Sequence, residues 1–251
     1  MRLLRCDIGG AVSLTEFPDS SPPPYAILSH TWGHEEVTFK DMIDGTGTNK
    51  LGYDKIRFCE EQASRDGLQY IWVDTCCIDK TSSAELQEAI NRMFQWYQRA
   101  TKCYAYLLDV SAKEKNSSAV SARYSWEASF RDSRWFTRGW TLQELIAPAS
   151  VEFFSADRVR LGDRISLEKQ ISDITAIPID ALQGRSLSEF SIDERLAWME
   201  GRNTTVQEDK AYSLFGIFDV QMPLLYGEGK DKAFARLQEE LNKTRKCEWS
   251  S

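Results

Sequence analysis

Tyr25-Ala-Ile-Leu-Ser29, continued at once by His30-Thr-Trp-Gly33, is the stretch on which the fold turns. An uninterrupted apolar run of strand length, ending in a polar loop, predicts a strand buried on both faces. Three further segments read as strands: Tyr70-Ile-Trp-Val-Asp74, Cys103-Tyr-Ala-Tyr-Leu-Leu108 and Val151-Glu-Phe-Phe154. Helical patterns separate them. Residues 51 to 65 place Leu51, Ile56, Cys59 and Ala63 at roughly helical spacing, with Gly67 as the stop. Leu86, Ile90, Met93, Tyr97 and Ala100 step by four and three after a cap at Ser82 or Ser83. A third helix carries Leu142, Leu145 and Ile146 and is stopped by Pro148. Strand and helix in alternation predict an α/β core over 25–157, a parallel sheet flanked by helices.

Ahead of this core, Arg2 to Cys6 and Val12 to Phe17 around Gly9-Gly10 read as a hairpin within residues 1–24, closed by Ser20-Ser-Pro-Pro-Pro24. Behind it, 158–251 reads as a mainly helical extension broken at Pro178, Gly184, Gly201 and Pro223. The polar stretch from Ser111 to Ser125 reads as an exposed insertion. A chain of 251 residues, 42% of them hydrophobic, is enough for one domain over 1–251 with its own core.

A net charge of −7, with Lys and Arg dispersed among acids, argues against nucleic acid as a partner. No window has the apolar length of a membrane span, and Met1-Arg-Leu-Leu-Arg-Cys-Asp7 is too short and charged for a secretory signal. A cytoplasmic protein is expected. Six cysteines without a CxxC pair and only two histidines, His30 and His34, predict reduced thiols packed in the core, with no disulfide and no metal site. No phosphate loop and no GxGxxG fingerprint is present, so no resident cofactor is expected.

In parallel sheets ligands bind beyond the carboxyl ends of the strands, which sorts the polar residues. Ser29, His30, Thr31 and Trp32 follow the first core strand; Asp74, Cys77 and Asp79 follow the second; Asp109 follows the third. Turn or cap roles are the stronger reading for Asp79 and Asp109, and stand even with a ligand role for His30 and Trp32. In Ser133-Arg-Trp-Phe-Thr-Arg-Gly-Trp-Thr-Leu-Gln-Glu-Leu145, Glu144 lies at the border of the apolar stripe, where it reads either as a solvated helix residue or as a carboxylate facing a cleft. Arg134 and Arg138 supply positive charge there, and Trp135 and Trp140 supply flat faces. That combination suits a dinucleotide. Replacement of Glu144 by Gln is expected to cost no more than the surface range of about 0.5 kcal/mol. The two glycines of Leu225-Tyr-Gly-Glu-Gly229 allow close backbone approach to a ligand, or simply make a turn.

Four separated motifs carry a resemblance. They are Tyr25-Ala-Ile-Leu-Ser-His-Thr-Trp-Gly33, Ile71-Trp-Val-Asp-Thr-Cys-Cys-Ile-Asp79, Arg134-Trp-Phe-Thr-Arg-Gly-Trp-Thr-Leu-Gln-Glu-Leu145, and Glu208-Asp-Lys-Ala-Tyr-Ser-Leu-Phe-Gly-Ile217 with Tyr226-Gly-Glu-Gly229. Together they resemble the HET domain of fungal heterokaryon-incompatibility proteins across nearly the whole chain. That resemblance implies a TIR-like, flavodoxin-like fold. It also implies a role for Glu144, four residues after Trp140, as the catalytic residue of an NAD-cleaving domain. The loop Ser29 to Gly33 is similar to the TIR loop that contacts the dinucleotide, although His30, Thr31 and Trp32 stand where some TIR enzymes carry basic residues. Ser29, His30, Thr31, Trp32, Asp74, Cys77, Arg138 and Trp140 are the candidate NAD contacts. NAD is then a substrate, cleaved to nicotinamide and ADP-ribose or a cyclic isomer in a cell-death programme. The alternative is a non-catalytic module acting by homotypic assembly. Self-association is implied in both readings, and a NACHT or other regulatory region is an implied partner.

Overall fold

β3 (Ala26–His30) is buried along its whole length. The computed structural model describes residues 1–6, 12–112 and 126–248 and sets this strand inside a seven-stranded sheet. The other strands are β1 (Arg2–Cys6), β2 (Val12–Glu16), β4 (Tyr70–Trp72), β5 (Lys102–Leu107), β6 (Val151–Ser155) and β7 (Arg160–Asp163). Their order is β2-β1-β4-β3-β5-β6-β7. The four inner strands are parallel, pairing β4 with β3, β3 with β5 and β5 with β6. Counted among themselves they run second, first, third, fourth, so the winding reverses between β3 and β5. In doubly wound sheets such a reversal opens the crevice where ligands bind.

Five helices position the site: α1 (Phe39–Asp44), α2 (Tyr53–Arg65), α3 (Asp74–Cys77), α4 (Ser83–Arg99) and α5 (Thr141–Ile146). Phe58 of α2 stacks on Tyr106 with ring centroids 4.5 Å apart and meets Tyr104 and Phe154 edge-on. On α4, Tyr97 meets Trp72 edge-on at 5.9 Å, and its hydroxyl donates to the carbonyl of Leu28 at 3.2 Å. Apolar cover on both sheet faces is why the inner strands read as continuous runs rather than alternating ones. Ser82, not Ser83, caps α4 by accepting from the Glu85 amide. Gly67, at φ +74°, follows the end of α2 in the left-handed conformation that glycine adopts freely.

The expected hairpin forms, and β1 also pairs antiparallel with β4, opposing Leu4 to Ile71, so it extends the sheet. Its expected turn at Gly9-Gly10 lies outside the described residues, as does most of the expected insertion, over 113–125. The extension is not purely helical. β7 pairs antiparallel with β6, with a register shift between Phe153 and Phe154. Four residues that include a glycine give too little periodicity to announce a strand. Likewise Asp209–Phe218 is two short helices, Asp209–Tyr212 and Phe215–Phe218, and the last helix runs over Lys230–Glu248. No helix among the described residues is long and apolar enough to cross a membrane.

Candidate functional site

Ser29, the penultimate residue of β3, connects the sheet to α5. The indole N–H of buried Trp135 donates to Ser29 Oγ at 2.8 Å, and the Ser29 hydroxyl donates to Glu144 Oε2. An indole can only donate, so Ser29 Oγ accepts there and keeps its own proton for the carboxyl group. Trp135 is itself held edge-on against Phe153 of β6, 5.6 Å away. Glu144 is 7% exposed. Burial pushes its carboxyl up to about 8, and nearby Asp74 adds to the rise, while the hydrogen bond from Ser29, the neighbouring Tyr97 hydroxyl and the charge of Arg138 oppose it. Glu144 is therefore not a solvated helix residue, and the surface-range tolerance expected for Gln does not carry over. Disturbing a buried hydrogen-bonded polar group costs about 1–3 kcal/mol.

His30 shares a second cluster with residues of the following loops and α2. Lys55 Nζ lies 3.2 Å from His30 Nδ1, and His30 Nε2 lies 3.1 Å from Asp74 Oδ1. An ammonium only donates, so Nδ1 accepts and Nε2 carries its proton toward Asp74. Lys55 also bonds the Thr31 carbonyl at 3.0 Å and forms an ion pair with Glu36. Trp32 Nε1 donates to Asp74 Oδ2 at 3.0 Å, and Lys80 Nζ sits 3.7 Å from the centroid of the Trp32 ring. Burial works against ionisation of Asp74, yet Lys80 and His30 hold its carboxyl well below the usual range. Two carboxyl groups at one rim are thus pushed in opposite directions. Glu144 holds its proton at neutral pH while Asp74 is an anion.

Arg138 and Trp140 face the C-terminal extension. Arg138 bonds Thr205 Oγ1 at 3.3 Å, and the Trp140 indole donates to Asp209 Oδ2 at 3.1 Å, with the Tyr226 hydroxyl on Oδ1 at 3.0 Å. Burial raises the Asp209 carboxyl, against those two hydrogen bonds. Thr31 is buried, its carbonyl taken by Lys55. Cys77 is buried too; burial pushes its thiol up to about 12, and its sulfur accepts from the Val73 amide at 3.4 Å. It packs in the core at the end of α3, the helix that Asp74 begins. Asp79 accepts from Thr81, and Asp109 accepts from Ser133 and the Arg134 amide, both turn and cap roles. The amides of Gly227 and Gly229 both donate to Glu208 Oε1 at 2.8 Å, so an internal carboxylate fills that loop.

Four residues of the site escaped the sequence reading. Tyr97 has the spacing of an apolar stripe, and only its hydroxyl distinguishes it from packing. Lys55 and Lys80 resemble solvated lysines, yet Lys55 is buried. Arg202 is 2% exposed and donates from Nη1 to the Arg138 carbonyl at 3.0 Å and to Thr141 Oγ1 at 2.9 Å. Burial lowers its guanidinium to about 10, and Glu144 partly restores it. Among the described residues no group of three or more His, Cys, Asp or Glu is placed to hold a metal ion.

A mainly parallel α/β sheet with a buried carboxyl group at its switch-point rim defines the class of this domain. Residues 25–127 match the family model described as Heterokaryon incompatibility protein (HET). The chain is 58% identical over 250 residues to the Vegetative incompatibility protein HET-E-1 of Podospora anserina, an alignment covering 98% of this chain and 18% of that protein. It belongs to the HET family. The chain thus spans under a fifth of the length of that relative. No solved structure shows a significant match.

Proposed function

We propose that this chain is the effector domain of a fungal incompatibility reaction and that it kills by cleaving NAD in the cytoplasm. The observation that carries the reading is Glu144, a carboxyl group buried at the carboxyl end of β3, bonded by Ser29 and raised to about 8. Strongly shifted carboxyls in crevices are where catalytic groups are found. The parallel strand order beside it is the one expected of a TIR-like domain.

In the proposed reaction the bond between ribose C1′ and the nicotinamide nitrogen breaks, and its electron pair leaves with the ring. The pyridinium becomes neutral nicotinamide and needs no proton. Water adds to C1′, giving ADP-ribose and one released proton; attack by an internal nucleophile gives a cyclic isomer instead. Positive charge gathers on the ribose in the transition state, and a carboxylate at that point stabilises it. Glu144 is protonated at neutral pH without ligand, but a cationic nicotinamide or oxocarbenium beside it favours the ionised form. Binding then expels a proton and places the negative charge where it is needed. Trp32, 48% exposed, offers a face for stacking, and Arg138 and Lys80 offer cations for the pyrophosphate. Self-association and control by a NACHT or other regulatory region complete the reading.

Incubation of the protein with NAD over a range of protein concentrations, with nicotinamide followed by chromatography, tests it. Release is expected. Its absence at every concentration returns Glu144 to a structural role, to which its burial also lends itself, and favours the homotypic assembly module.

A further inference from the structure

The C-terminal carbonyls of α5 are closed by an arginine from outside the helix. Arg164 donates from Nη1 to the carbonyls of Leu145 and Ile146, at 2.8 and 3.2 Å, and from Nη2 to that of Ala149 at 3.4 Å. Its Nε has no partner, although the residue is only 5% exposed. Arg164 lines a cavity of about 1070 Å³ bounded by α4, the end of α5 and the helices of the extension. Arg195 lines the same cavity and repeats the pattern: Nη1 bonds the Ile217 carbonyl at 3.0 Å, the guanidinium lies 4.7 Å from the Phe218 ring centroid, and Nε is unpartnered. Neither arginine forms an ion pair with an acid of the described residues, whereas Arg185, on the same wall, is paired with Asp180 and Glu189. Two poorly solvated cations at one cavity, each with a buried Nε that no partner takes, lack a counter-charge.

We infer that this cavity is a second ligand site, distinct from the Glu144 rim, for a small organic anion with an aromatic body, of the nucleoside monophosphate class. The volume is at the upper end of small-molecule sites. Arg164 and Arg195 present N–H donors for a phosphate, in the geometry that guanidinium groups offer oxyanions. Phe190 and Phe218 provide aromatic lining, and Gln95 and Gln98 provide amides able to bond the edge of a heteroaromatic ring. The inference does not rest on NAD cleavage. The cavity lies at the C-terminal end of α5, where the chain turns back into β6, whereas the rim lies at the opposite ends of the strands.

Isothermal titration with adenosine monophosphate, inorganic phosphate and adenosine tests the site. The monophosphate should bind wild-type protein and Trp32→Ala equally, and at least tenfold more tightly than phosphate or adenosine alone. Arg195→Gln and Arg164→Lys should each weaken it tenfold or more. Arg195 is only half-buried, so Arg195→Gln decides alone should Arg164→Lys fail to fold. No saturable binding up to millimolar monophosphate, or binding that survives Arg195→Gln, or binding lost in Trp32→Ala would overturn the inference.

Discussion

At the residue scale Glu144 links burial to pH. Its pKa is about 8 in the folded chain against 4.5 for the free side chain, so the unfolded state binds fewer protons between those values. The contribution of this group is fully present below about pH 4.5, falls as pH rises toward 8, and is level beyond. A tenfold difference in proton affinity between the two states corresponds to about 1.4 kcal/mol. Unfolding free energies of wild type and Glu144→Gln, measured by denaturant titration from pH 5 to pH 8.5, should therefore diverge by a few kcal/mol in favour of the variant. Parallel curves would show that the carboxyl is not perturbed. In the proposed reaction the carboxylate is the active form, so kcat/KM for NAD cleavage should fall with decreasing pH below a limb at or under about 8. Ser29→Ala removes a hydrogen bond that favours the ionised form and should move that limb upward. A limb that stays put would separate Ser29 from the titrating group.

At the scale of elements, the inner strands were legible because Ala26–His30 and Lys102–Leu107 are almost wholly buried and their apolar runs are unbroken. β7 was not, because an edge strand paired on one side needs no apolar pattern. The site was partly legible. Ser29 and Glu144 do meet, and His30, Trp32 and Asp74 do cluster, since chain order after parallel strands fixes which loops share a rim. Tyr97 and Arg202 come from a helix face and a turn whose approach to Glu144 depends on tertiary packing alone. One close approach is itself testable. A Cβ at Gly216 would lie 2.0 Å from Phe94 Cβ, where α4 meets the helix Phe215–Phe218. Gly216→Ala should cost about 1–3 kcal/mol in chemical unfolding. Phe94→Gly removes the Cβ as well as the ring, so combining it with Gly216→Ala should cost less than the sum of the two single changes, because the two residues share one contact. Additive losses would mean that the helices do not pack through this pair.

At the scale of the molecule, the relative in Podospora anserina is several times longer than this chain, and self-association belongs to the proposed function. If activity requires self-association, nicotinamide release per molecule should rise with protein concentration and track the oligomer fraction in sedimentation. Full specific activity in a dilute monomer would remove assembly from the account. The central claim remains that Glu144 carries the chemistry, and nicotinamide release at saturating NAD by wild type, Glu144→Gln and the exposed-helix control Glu239→Gln tests it most directly, with circular dichroism confirming each fold. Release is expected to fall about a hundredfold or more in Glu144→Gln and to be unchanged in Glu239→Gln. A folded Glu144→Gln protein that cleaves NAD at the wild-type rate would contradict the claim.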